Sequence, residues 1–132
     1  MKKEQEGAKM IPYDENNVFA KILRGEIPCN VIDENDEALA FADVNPQAPN
    51  HVLIIPKGAY VSFADFSERA TSTEIVKLVK LIGKVARELG LQESGYRLLA
   101  NHGEDAHQEV PHFHVHLCGG RPLGALLSAR TP

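Results

Sequence analysis

Three histidines alternate with three apolar residues in the segment at positions 112–117, His-Phe-His-Val-His-Leu. Successive side chains of a β-strand point to opposite faces, so the alternation predicts a strand over residues 112–118. One face would pack on a core through its apolar residues, while the other carries His112, His114 and His116. Imidazole exchanges protons near neutral pH, ligates metals and can act as a nucleophile. The segment therefore predicts both a strand and a functional site.

The other hydrophobic patterns predict an α+β fold. A short helix should begin after Asn16 or Asn17 and run to Arg24, and apolar residues at three- and four-residue spacing predict one long helix over residues 67–89. Further strands are expected at residues 29–33, 38–43, 51–56 and 96–101. Strands in neighbouring pairs with one long helix inserted favour a five-stranded, mostly antiparallel sheet.

Length and charge limit the classes of protein that this chain can be. The 132 residues fit one domain, with residues 1–15 expected as a flexible leader and residues 122–132 as a tail. A net charge of −4 argues against nucleic acid as a partner. No stretch approaches the roughly 18 apolar residues that span a membrane. Cys29 and Cys118 have no nearby cysteine, which favours reduced thiols and a cytoplasmic location.

The clustered histidines are compatible with two chemistries. Same-face neighbours on a strand lie roughly 6.5–7 Å apart, so two rings could share a zinc ion, but the third is too distant. A zinc site would need another donor, such as His51, His102, His107 or a carboxylate. Alternatively, the middle imidazole is a nucleophile towards phosphorus, and its neighbours handle protons and phosphate oxygens. We favour the nucleophile and expect neither a metal nor a cofactor.

Several blocks of this sequence resemble the histidine-triad family, in particular its Hint branch. The segment 112–118 resembles the signature in which three histidines alternate with apolar residues, and blocks 19–28, 40–57 and 116–121 resemble the same branch in the same order. The resemblance extends over residues 16–121. It implies the histidine-triad (HIT) fold, hydrolysis of purine nucleoside 5′-phosphoramidates or aminoacyl-type adenylates, and a homodimer whose two sheets join into one of ten strands. A nucleotide-binding module with vestigial hydrolysis is the alternative.

The resemblance also implies roles for individual residues. His114 would be the nucleophile, flanked by His112 and His116, with His51 orienting it or relaying protons. Asp43 would hold the ribose hydroxyls, unless it is only a turn carboxylate. The remaining nucleotide contacts would come from an apolar wall around the base and from polar or loop residues around the phosphate, namely Phe19, Ile22, Phe41, Val44, Leu53, Asn101, Gln108, Glu109 and Val110.

Two features depart from the animal members of the resembled branch. Glu109 stands where those members have a serine whose hydroxyl helps the leaving group, so that hydroxyl contact is missing here, although the Glu109 backbone N–H could still serve. The tail after Arg121 lacks their Trp-Pro-Pro ending and is similar to the prokaryotic subtype. In such a dimer the tail is expected near the partner's pocket.

Overall fold

A computed structural model describes residues 12–127 of the chain. In chain order the elements are α1 (Val18–Leu23), β1 (Val31–Glu34), β2 (Ala38–Ala42), β3 (Asn50–Pro56), α2 (Phe63–Arg69), α3 (Ser72–Glu88), β4 (Tyr96–Leu99), a 3₁₀ turn (Glu104–Ala106) and β5 (Val115–Gly119). The strands form one sheet in the order β1-β2-β3-β5-β4, and all four neighbouring pairs are antiparallel. The predicted α+β class and five-stranded sheet are confirmed.

The sheet is covered on both faces because β3 is apolar on both. Val52 and Ile54 face a core shared with α2 and α3, whereas Leu53 and Ile55 face a smaller cluster under α1. Such a two-sided strand is expected to be a continuous apolar run, as the sequence of β3 is. The smaller cluster forms the floor of the site described below.

The long helix predicted over residues 67–89 is present as α3, but it begins later, at Ser72, and a separate short helix, α2, precedes it. Two helices occupy this region, and the chain is extended between them at Ala70, where ψ is 146°. Thr71 and Glu74 form a capping box that starts α3, and the Ser62 side chain caps α2 by accepting from the Asp65 N–H. The apolar periodicity alone did not reveal this break, which local capping chemistry imposes.

The histidine strand is shorter than predicted. It begins at Val115, opposite Ile54 of β3, so His112 and His114 precede the sheet ladder. Strand 96–101 likewise ends at Leu99, leaving Asn101 outside it. The alternation of faces persists, because Phe113 and Leu117 lie in the large core while the His114 ring faces Phe19 on the other side.

The chain ends bear on two further expectations. The expected leader includes Tyr13, which the structure packs against His112. Arg97 of β4 holds the start of the tail through the carbonyl oxygens of Gly124 and Ala125. Residues 1–11 and 128–132 lie outside the described part. Within residues 12–127, no helix is long and apolar enough to cross a membrane.

Candidate active site

A cavity of about 450 Å³ opens on the α1 side of the sheet. Its closed part is apolar, with Phe19 and Phe41 in edge-to-face contact at 5.6 Å between ring centroids. Its other part carries imidazoles, two carboxylates and amide groups. The cavity combines an apolar slot with a few convergent polar groups, as small-molecule sites do. Most of the expected site residues line it: Phe19, Ile22, Phe41, Asp43, Val44, Leu53, Asn101, Glu109, Val110, His114 and His116.

The hydrogen bonds of His114 determine which of its nitrogens is free. Its Nδ1 lies 2.7 Å from the main-chain oxygen of His112. A carbonyl oxygen only accepts, so Nδ1 carries the proton and donates it to this bond. Burial lowers the pKa of His114 and favours the neutral ring. The Nε2 atom of His114 therefore keeps an unprotonated lone pair, on a ring that lines the cavity.

His116 carries its proton on the nitrogen opposite to that of His114, and a series of hydrogen bonds from a backbone amide determines this. The Gln47 N–H donates to Nδ1 of His51 at 2.9 Å, so the proton of the His51 ring is on Nε2. That Nε2–H points at Nδ1 of His116, also at 2.9 Å. His116 must then carry its own proton on Nε2. The site thus presents one lone pair, from His114, and one N–H donor, from His116.

His112 is fully buried and does not line the cavity. Its Nε2–H donates to the main-chain oxygen of Pro56 at 2.9 Å, and its Nδ1 is 2.6 Å from the Tyr13 hydroxyl. Burial lowers the pKa of His112 to about 4, so the ring is neutral at physiological pH. The first histidine of the triad therefore contacts His114 through its main-chain oxygen and not from within the cavity.

Asp43 occupies the polar rim of the cavity. One carboxylate oxygen accepts from the Asn45 N–H at 2.8 Å, and the other lies 3.4 Å from Nε2 of His51. The turn contact that the sequence left open is present, and the same side chain also lines the cavity. Each carboxylate oxygen has a second lone pair, so Asp43 can still accept hydrogen bonds from a ligand.

Asp43, His51 and His116 also bring three metal-ligating atoms within 4.8 Å of one another. This is the additional histidine and carboxylate that a zinc site would need. In the structure both nitrogens of His51 are already hydrogen-bonded, to the Gln47 amide and to His116. A metal at this point would have to displace the shared proton of that pair. The expectation that no metal is needed remains a prediction.

Gln108 is the expected contact that the structure places elsewhere. Its side-chain amide donates to the main-chain oxygens of Val61 and Val110, and its side-chain oxygen accepts from Gly103. These bonds hold the loop before the histidine segment in place, and Gln108 does not line the cavity. Leu53, one of the expected nucleotide contacts, belongs to the smaller core and also lines the cavity.

The sequence missed several cavity residues. His107, which the sequence offered only as a possible zinc donor, lines the cavity mouth, and its exposed ring lies 3.0 Å from the Glu109 carboxylate. No local pattern distinguished it from His102. The other residues that sequence reasoning did not assign to the site are mostly apolar and lie beside expected ones: Val18, Ile27, Pro28, Cys29, Ala42 and Asn45.

We expect acid to destabilise the fold through these buried histidines. Burial lowers the pKa of both His112 and His116 to about 4, against 6.5 for an exposed histidine. Between these values the unfolded chain binds protons that the folded chain does not, so stability falls as the pH is lowered. For His112 alone the loss at pH 5 is on the order of 2 kcal/mol.

Urea denaturation at pH 7 and pH 5 measures this loss. The His112→Gln variant should lose less stability across that interval than the unmodified chain, whereas replacing the exposed His102 with Gln should not change the loss. Equal pH dependence in all three proteins would contradict the assignment.

Known proteins of similar sequence and structure point to one family. The HIT domain model matches residues 24–123. A 13.2 kDa HIT-like protein of Azospirillum brasilense is 60% identical over 116 residues, covering 88% of this chain and 95% of that protein. The purine nucleoside phosphoramidase of Escherichia coli K12 is 40% identical over 114 residues, covering 86% and 95%. The crystal structure of a HIT family hydrolase from Legionella pneumophila has a TM-score of 0.77 and 42% identity, covering 83% of this chain and 96% of that one.

Proposed function

The chain belongs to the HIT domain family, and we propose that it hydrolyses purine nucleoside 5′-phosphoramidates through a nucleotidyl intermediate on His114. The observation that carries this proposal is the unprotonated Nε2 of a His114 ring that lines the cavity. A nitrogen nucleophile suits displacement at phosphorus, because it splits one difficult step into two easier ones. The name of the Escherichia coli relative supports the choice of a P–N bond.

The cavity suits the remainder of such a substrate. A purine would occupy the apolar part between α1 and the neighbouring strands β2 and β3, which contribute Phe41 and Leu53. Few polar groups there could distinguish adenine from guanine. We therefore expect the two bases to be used within roughly tenfold of each other, about 1.4 kcal/mol. The ribose would lie at Asp43, and the phosphate between His114 and His116.

The proposed reaction has two displacements. In the first, the lone pair of His114 Nε2 attacks phosphorus, the P–N bond breaks, and its electron pair stays with the departing amine, which gains a proton. The Nε2–H of His116 donates a hydrogen bond to a phosphoryl oxygen and stabilises the charge that develops there. In the second, water attacks the same phosphorus and gives a proton to the group that protonated the amine. The bond from phosphorus to His114 Nε2 breaks, its electron pair returns to Nε2, and the nucleoside monophosphate leaves.

The departing amine would face the cavity mouth. There, His107 and Glu109 form an exposed pair whose nitrogen and oxygen are 3.0 Å apart. Glu109 occupies the position where animal members have serine. In this chain the pair of His107 and Glu109 would supply the proton that the departing amine gains. The Glu109 backbone N–H remains the other expected contact in this region.

The second candidate is a nucleotide-binding module with vestigial hydrolysis. The hydrogen bonds around His114 favour an enzyme, because binding alone does not require an unprotonated imidazole beside the phosphate. The distinguishing test is hydrolysis of adenosine 5′-phosphoramidate, followed as release of AMP and ammonia in the presence of EDTA. We expect multiple turnovers that EDTA leaves unchanged. Binding of AMP without turnover would support the module, and loss of turnover that zinc restores would support a metal enzyme.

We expect the Asp43 carboxylate to accept hydrogen bonds from the ribose hydroxyls and so to select ribose over deoxyribose. Adenosine phosphoramidate should react about tenfold or more faster than its 2′-deoxy analogue, as kcat/KM, because a missing hydroxyl leaves a carboxylate without its donor. Asp43→Asn should slow the ribose substrate and largely abolish this discrimination. If Asp43→Asn slows both substrates equally, Asp43 acts only through its turn and His51.

We also propose a homodimer. The edge strand β4 leaves Tyr96, Leu98 and Leu99 exposed, and α3 exposes Val76 and Val79. A sheet edge with apolar side chains is suited to pairing with a second copy of itself. Pairing of two β4 edges would join the sheets into one of ten strands. Light scattering should then give about twice the chain mass of 14.5 kDa.

A further inference from the structure

Tyr13 is tied to the triad although it lies far from it in sequence. Its hydroxyl is 2.6 Å from Nδ1 of His112, and the two rings meet edge to face at 5.5 Å between centroids. The segment around Tyr13 is held in place from α1. The backbone N–H and the side-chain amide of Asn17 both donate to the main-chain oxygen of Asp14, and Arg24 donates to that of Glu15. The contact with His112 therefore belongs to an anchored segment.

The direction of the bond between Tyr13 and His112 follows from the other side of the His112 ring. Nε2 donates to the Pro56 carbonyl, so in the neutral ring Nδ1 has no proton and must accept. The hydroxyl of Tyr13 is the donor. Burial raises the pKa of Tyr13, which keeps that hydroxyl protonated. The two bonds together fix both the tautomer and the plane of a ring that is 0% exposed.

The position of this ring matters because residues 112–114 precede the ladder of β5. The His112 carbonyl, which is the group that orients His114, lies outside that ladder. Its peptide group is held on the other side by the Phe113 N–H, which donates to the main-chain oxygen of Tyr60 at 2.7 Å. The His112 side chain, bonded to Pro56 and Tyr13, is the second hold on this peptide group. Without the Tyr13 hydroxyl, a fully buried acceptor would lose its donor, and rotation or a change of tautomer would break the Pro56 bond.

We propose that Tyr13 is a positioning residue of the phosphoramidate site, acting through His112 to aim the lone pair of His114 at phosphorus. This inference rests on the proposed function. It assigns a role in the reaction to a segment that precedes the region matched by the family model. Tyr13 itself does not line the cavity, so its effect should be on the reacting geometry and not on nucleotide binding.

The test compares Tyr13→Phe with Tyr60→Phe. Both changes remove one hydroxyl and keep the ring, and the Tyr60 hydroxyl is bonded to Glu74, away from the cavity. We expect Tyr13→Phe to lower kcat for adenosine phosphoramidate about tenfold with KM within about twofold, since small displacements of a reacting group are costly. Tyr60→Phe should keep kcat within about twofold. Equal kcat in the two variants would overturn the proposal.

A second measurement does not depend on turnover. Nitrogen NMR of the histidine-labelled unmodified protein should show His112 protonated on Nε2 and accepting at Nδ1. In Tyr13→Phe, the ring nitrogen signals of both His112 and His114 should shift. A proton on Nδ1 of His112 in the unmodified protein would overturn the proposal. If the unmodified protein does not hydrolyse phosphoramidates, the proposed function fails, while the NMR result still reports on the bond from Tyr13.

Discussion

Replacing His114 with Ala should reduce hydrolysis of adenosine 5′-phosphoramidate by on the order of 10³-fold or more. The expected loss is large because the nucleophile itself is removed and neither of the other two histidines of the triad offers an unprotonated nitrogen to the cavity. His116 presents an N–H, and His112 is buried with both nitrogens engaged. The fold should survive, since the His114 ring lines an open cavity and its removal leaves space that water can fill.

Initial rates of AMP release, together with urea denaturation, test this expectation. His114→Asn should still bind AMP, because the apolar slot and Asp43 remain in place. The matched control is His102→Ala, which removes an exposed imidazole outside the cavity lining and should leave the rate within about twofold. More than about a tenth of the original rate in His114→Ala, a loss under roughly 1.4 kcal/mol, would exclude covalent catalysis by His114.

Replacing His116 with Ala should give the second largest effect, a loss of about 10²–10³-fold in kcat. Its Nε2–H is held towards the cavity by a series of hydrogen bonds that starts at the Gln47 amide. A donor fixed in this way stabilises charge on a phosphoryl oxygen without having to reorganise during the reaction. That charge grows only in the transition state, so kcat and kcat/KM should fall together.

The identity of the leaving group separates this role from proton donation. If His116 donates to the phosphoryl oxygen, His116→Ala should lower kcat by the same factor for phosphoramidates of good and of poor leaving amines. A loss in His116→Ala that grows steeply with the basicity of the amine would instead assign His116 as the proton source. Replacing His107 with Gln supplies the comparison, because the proposed pair with Glu109 predicts a leaving-group dependence for that variant.

Period-two patterning in the sequence indicates the faces of the triad correctly. The alternation around His114 separates the core side from the cavity side, and the two-sided apolar run of β3 marks the centre of the sheet. Both signals are local and follow directly from strand geometry. The start of β5 could not be predicted in this way, because its ladder begins at the pair of Val115 with Ile54 although β3 itself continues to Pro56.

The predictions that differ from the structure concern a helix boundary and side chains whose hydrogen-bond partners could not be inferred from the local sequence. The apolar stripe of the helical region concealed the capping box at Thr71, whose two side-chain bonds divide the region into α2 and α3. Gln108 was expected at the phosphate, but its loop uses the amide internally. Tyr13 meets His112 across 99 positions of sequence, which no pattern within one segment can indicate.

Mass spectrometry of the protein during turnover tests the covalent intermediate most directly. The unmodified enzyme is mixed with excess adenosine phosphoramidate, quenched within the first turnovers in alkaline denaturant to preserve the acid-labile phosphorus–nitrogen bond, and digested. The account predicts an adenylyl group on the peptide that contains His114, formed and lost at rates consistent with kcat and absent from His114→Ala. Sustained turnover with the adenylyl group on another residue, or with no adduct even when the quench outpaces its breakdown, would contradict it.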